Sequence, residues 1–167
     1  IDSDEPGGPA FVWTDISSTG TPVAATTDDS TSPAIALGFN APFYGTFFDS
    51  IRVCSNGWLS FTSSATFYSN QPLPNVGAPE NMIAPFWDDL NPGGATHIYF
   101  QSFGNHAIVQ WDNMPMYTGG GAATFQAILE ASGTITFQYS NLTGAVDNAT
   151  VGLQNATKTD ALQVAFN

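Results

Sequence analysis

Apolar residues recur at every second position on both sides of Gly104-Asn105, and that alternation leaves few folds open to the chain. A two-residue turn there joins residues 97–103 to 106–111. Ile98, Phe100, Ala107, Val109 and Trp111 then share one face. His97, Tyr99, Gln101, His106 and Gln110 fall on the other, with Phe103 and Ile108. Successive strand residues point to opposite faces, so this reads as a β-hairpin with one side in a core.

Two further hairpins follow from turn chemistry. Between 124–130 and 134–139 a two-residue turn would misalign the apolar faces. A three-residue loop, Ala131-Ser132-Gly133, pairs Leu129 with Ile135 and Ala127 with Phe137, and sets Gly133 where a left-handed residue is wanted. Asn56-Gly57 predicts a type I′ turn within 51–61, pairing Ser55 with Trp58 and Cys54 with Leu59. Ile51, Val53 and Trp58 would share one face, and Cys54, Leu59 and Phe61 the other. A hairpin apolar on both faces belongs in the middle of a sheet.

Phe11 and Trp13 alternate and begin a first strand; Ile35, Leu37 and Phe39 mark another. Residues 149–154 and 161–166 supply the last two. Pro85 argues against a central strand running the whole length of 82–90. Residues 17–34 read as a polar loop and 62–80 as a long surface connection. The expected fold is all-β: one antiparallel β-sandwich domain over 1–167, with hairpins at 51–61, 97–111 and 124–139. Its acidic segment 1–9 is either a loop or a strand donated to a neighbour.

Only two basic residues, Arg52 and Lys158, stand against fourteen acidic ones, for a net charge of −12. Such a surface repels phosphate backbones and anionic lipid, which argues against nucleic-acid and membrane partners. No stretch is long and apolar enough to span a bilayer. Cys54 is the one cysteine, so no disulfide forms within the chain, and its apolar neighbours suit a buried, inert thiol. The chain begins at Ile1 without an initiator Met or signal peptide, which fits a processed, secreted product.

The acid excess has two readings, solubility and divalent-cation binding. Asp2, Asp4, Glu5, Asp88 and Asp89 are the candidate oxygen ligands for calcium. For Asp88-Asp89, capping of the turn at Asn91-Pro92-Gly93 ranks ahead of calcium, and general acid–base work on a sugar comes third. His97 and His106 sit near opposite ends of one hairpin, roughly 20 Å apart at about 3.3 Å per residue, so no histidine-based triad or shared metal is expected. Asn141, Asn148 and Asn155 each begin a glycosylation sequon. Phe67, Tyr68 and Tyr117 are candidates for an exposed aromatic platform for glycans.

The segments SNGWLSF (55–61), IAPFWDDL (83–90), HIYF (97–100), IVQWDNMPMY (108–117) and TFQAILEASGTITFQY (124–139) occur in that order. Together they resemble the nidogen-like domain of extracellular matrix and adhesion proteins. The opening IDSDEPGGP is similar to related modules appended to bacterial secreted proteases and surface proteins. The resemblance covers about residues 39–153. It implies an extracellular, non-catalytic, β-rich module without a fixed ligand. The expectation is a structural or adhesive module that self-associates, or meets other extracellular proteins and glycans. A fibre built by β-strand addition, through residues 1–13 or 161–167, is one form of it. A carbohydrate-binding or accessory module of a secreted enzyme is the alternative.

Overall fold

The computed structural model describes residues 1–166 and contains strands but, among those residues, no helix. In chain order the strands are β1 (Thr21–Pro22), β2 (Ile35–Phe43), β3 (Thr46–Val53), β4 (Leu59–Ser60), β5 (Met82–Trp87) and β6 (Ile98–Ser102). Then come β7 (His106–Pro115), β8 (Ala122–Glu130), β9 (Ile135–Leu142), β10 (Thr150–Gln154) and β11 (Ala161–Ala165). They form two antiparallel sheets in the orders β1-β6-β7-β8-β9 and β11-β10-β5-β4-β3-β2. The sheets pack face to face as a β-sandwich.

The alternation that defines each hairpin also builds the core. Ile98, Val109, Trp111 and Phe125 from one sheet meet Ile51, Val53, Leu59 and Ile83 from the other, all at most 1 % exposed. Trp111 stacks on Phe125 with ring centroids 4.8 Å apart, and its indole N–H crosses to the Cys54 carbonyl at 3.2 Å. Fully burying a side chain of this size stabilises by about 1.5–3 kcal/mol.

Two hairpins have the expected register. Phe100 pairs with Val109 across the Gly104-Asn105 turn. Leu129 pairs with Ile135 and Ala127 with Phe137 across a three-residue loop, with Gly133 at φ 93°. The 51–61 hairpin differs by one residue. Val53 pairs with Leu59, and the Cys54 N–H bonds the Trp58 carbonyl, so the loop is Ser55-Asn56-Gly57. Only Gly57 has positive φ. The shift puts Ile51, Val53, Leu59 and Phe61 together in the main core and turns Cys54 and Trp58 to the opposite side. A type I′ turn does occur nearby, at Tyr44-Gly45, with φ of 44° and 78°. It joins β2 to β3 in a hairpin that the aromatic spacing of 39–50 conceals.

As expected, no strand runs the whole length of 82–90: the central strand Met82–Trp87 stops short of it, but it passes through Pro85 fully buried. Its ladder with β10 shifts register there: Trp87 pairs with Thr150 and Ala84 with Gly152. The proline therefore sits in a bulge, where its missing N–H costs no ladder bond. Residues 11–13 form no strand. They belong to an extended strap, residues 12–16, lying across β7, β8 and β9. Gln138 grips Val12 at both its N–H (2.8 Å) and its carbonyl (2.9 Å). Gln126 donates to the Thr14 carbonyl, and Gln110 accepts from the Ile16 N–H. Those three glutamines are cross-strand neighbours in one row. Their amides replace a strand partner for the strap's main chain.

The sheets are not equally wide. β5 packs against β8, and β2 against β7. At this rim the second sheet continues past β5 with β10 and β11 and the first continues past β8 with β9 alone, so β11 extends one strand further, with the Tyr44 side chain against the Leu162 main chain.

Candidate functional site

The overhang opens a cleft of about 350 Å³ at the rim between β9 and β11. Tyr139 and Leu142 line one wall, Val151, Val164 and Phe166 the other, with Phe86 behind them. Gln163 turns outward and accepts the Leu73 N–H. The β10–β11 ladder shifts register next to it, between Val151 and Gly152, and the consecutive residues Val164, Ala165 and Phe166 all line the cleft. Leu162, Val164 and Phe166 are 58, 63 and 43 % exposed. The Tyr139 hydroxyl donates to the Pro85 carbonyl at 2.7 Å and ties the two sheets together at the inner end. Burial pushes that phenol well above its usual range.

Carboxylates gather elsewhere. Asp28, Asp29 and Asp89 bring oxygens within 4.8 Å of one another, and Asn56 donates to Asp29 at 2.8 Å. Burial, then the charges of Asp29 and Asp28, raise the Asp89 carboxyl. Asp88 lies apart from this group and is buried. Burial pushes it up to about 6, aided by the charges of Asp89 and Asp147 and opposed by the Asp89 N–H that it accepts. Both residues lie just past the end of β5, outside any strand, and of the two only Asp89 joins the cluster. Asp2, Asp4 and Glu5 are exposed in their own turn, where Asp2 accepts the Asp4 and Glu5 N–H groups.

Phe67, Tyr68 and Tyr117 are exposed, at 46, 50 and 53 %. The Phe67 main chain is fixed, because its carbonyl accepts the indole N–H of both Trp58 and Trp87 at 3.0 Å. The Tyr117 N–H bonds the Asp89 carbonyl. Asn141 and Asn148 are exposed; Asn155 is half-buried, and its side-chain oxygen accepts from Thr159 and Asp160. His97 and His106 each engage a neighbour on their own hairpin, the Asp112 carbonyl and the Asn105 side chain. A second concavity, about 590 Å³, lies over the β2–β3 bulge and carries one carboxylate, Asp49.

Sequence reasoning flagged Asp89 but not Asp28 and Asp29, which lie in what reads as a polar loop. It also missed the cleft, because an overhang depends on how two sheets are offset. The one signal available was the uninterrupted apolar alternation of Leu162, Val164 and Phe166 at the end of the chain. Comparison with solved structures gives no match. The model of the NIDO-related family matches residues 9–167, nearly the whole sequence, and the chain therefore belongs to the NIDO-related family.

Proposed function

We propose that the chain is a non-catalytic extracellular structural or adhesive module that self-associates by strand addition at the rim between β9 and β11. The carrying observation is the exposure of Leu162, Val164 and Phe166 on β11, the last strand of its sheet, whose main chain meets the Tyr44 side chain at Leu162. An apolar, unpaired edge is a ready template for another strand. β11 is already paired with its own β10, so addition here widens a sheet and does not replace a missing strand. The family membership and the acidic surface support the extracellular setting. Light scattering and electron microscopy of the concentrated chain test the reading. Oligomers or fibres that disappear on Val164→Lys are expected; a chain that stays monomeric at millimolar concentration would overturn it.

A second reading, glycan binding, is favoured by the exposure of Phe67, Tyr68 and Tyr117 beside a rigid main chain. It expects glycan-array signal that is lost with Tyr68→Ala.

A further inference from the structure

We infer that the row of Gln110, Gln126 and Gln138 is a docking track for the N-terminal strap of a second copy, so that copies join by exchanging arms. The track lies on the outer face of β7, β8 and β9, apart from the rim, and does not depend on strand addition there.

The track reads main chain together with one short sequence. The strap crosses the strands from β7 at Ile16 to β9 at Val12, one strand for every two residues. Val12 is 67 % exposed although Gln138 holds both its N–H and its carbonyl. Gln126 holds Thr14 by its carbonyl. At the β7 end side chains are read as well: Gln110 donates to the Asp15 carboxylate at 2.9 Å, and Ile16 is fully buried. Asp-Ile occurs once in the sequence, at 15–16. The occupant that fits the whole track is therefore an identical strap, which a second copy carries.

The strap is seated on its own body under restraint. A tight turn tethers it: the Thr19 and Gly20 N–H groups bond the Ile16 carbonyl, and a Cβ at Gly20 would fall 2.8 Å from that oxygen. Beneath the tethered strap, Gln126 Oε1 is buried without a donor, although buried polar atoms normally find a partner. Ahead of the strap, the hydrogen bonds of residues 1–9 stay, among the described residues, within that segment. Opening the turn frees residues 1–16, which extend to roughly 50 Å at about 3.3 Å per residue, whereas the track from β7 to β9 spans roughly 10 Å at about 4.8 Å per strand. The arm reaches a neighbour, and each contact broken on its own body is remade on the next. Exchange of identical elements is a low-cost route to association.

Closed seating competes at an effective concentration in the millimolar range. Complementation between two full-length variants removes that competitor. Ile16→Asp spoils the strap and keeps the track; the double variant Gln126→Ala, Gln138→Ala spoils the track and keeps the strap. Mixing them should give a one-to-one heterodimer in native mass spectrometry, at least about tenfold tighter than the self-association of either variant. The Val12 amide of the double variant should gain hydrogen-exchange protection only in the mixture. Circular dichroism checks that both variants fold; if either does not, Ile16→Ala and Gln138→Ala put the same question with smaller changes. A mixture that associates no more than its components overturns arm exchange. If those components nevertheless self-associate, exchange falls and strand addition at the rim stands. A gain on mixing upholds exchange even where neither component self-associates.

Discussion

The outer faces of the two sheets are both covered, by opposite chemistry. Over β5 and its neighbours lies the 62–80 connection, packed on Cys54, Trp58, Met82 and Trp87 through Leu73 and Ala78. Over β7, β8 and β9 lies the 12–16 strap, held by Gln110, Gln126 and Gln138, with Ile16 its one buried apolar side chain. The first cover gains from area removed from water, which tolerates small shifts. The second gains from directed hydrogen bonds, each worth only about 0.5–1.5 kcal/mol net, but each demanding a defined register. One buried acceptor, Gln126 Oε1, is left without a partner beneath the strap. The glutamine row thus positions the strap more than it holds the sandwich together.

The largest expected effect comes from breaking the apolar cover. Trp87→Ala removes a fully buried indole and one of the two donors to the Phe67 carbonyl, and should cost about 3–5 kcal/mol in urea unfolding. Cys54 reports the same opening. Burial pushes its thiol up to about 11, so the native chain should resist thiol reagents that label Trp87→Ala quickly.

Next is the electrostatic weak point of that side, Asp88, directly after Trp87. Its folded pKa of about 6 lies above the ordinary 3.8, so the fold binds this proton more tightly than the unfolded chain does. Stability should therefore rise as pH falls from above 6 toward 4 and level off below that. The gain should be about 1–3 kcal/mol, and Asp88→Asn should flatten the slope. A slope unchanged in Asp88→Asn would assign it to other groups.

The smallest effect is expected at the polar cover. Gln138→Ala should lower global stability by no more than about 1.5 kcal/mol while abolishing hydrogen-exchange protection of the Val12 amide. A loss as large as that of Trp87→Ala would erase the contrast between the two faces.

Local turn chemistry was legible in the sequence wherever it acted alone. The Ala131-Ser132-Gly133 loop fixes Gln126 opposite Gln138, so half of the glutamine row could be read from one turn. Gln110 joins the row only through the β7–β8 ladder, where Gly119-Gly120-Gly121 gives no register. At 51–61 the local preference of Asn-Gly lost to packing. The Asn56 side chain donates to Asp29 and accepts from the Leu90 N–H, and a Cβ at Gly57 would fall 1.8 Å from the Phe86 carbonyl oxygen. Those partners are 27 or more residues away in sequence, beyond the reach of any window. The same distance hid Asp28 and Asp29 from Asp89, and the offset of the sheets hid the cleft.

The scarcity of cations carries one more consequence. A trypsin-like protease has two bonds to attack in the whole chain, after Arg52 and after Lys158. The first lies in β3, where Arg52 reaches the Ser32 carbonyl. The second lies in a tight turn at φ 59°, with the Lys158 ammonium 3.2 Å from the Val76 carbonyl and 3.7 Å from Glu80. Trypsin itself should therefore leave the folded chain whole, whereas a protease that cuts after aromatic residues has the exposed Phe67, Tyr68 and Tyr117 to attack.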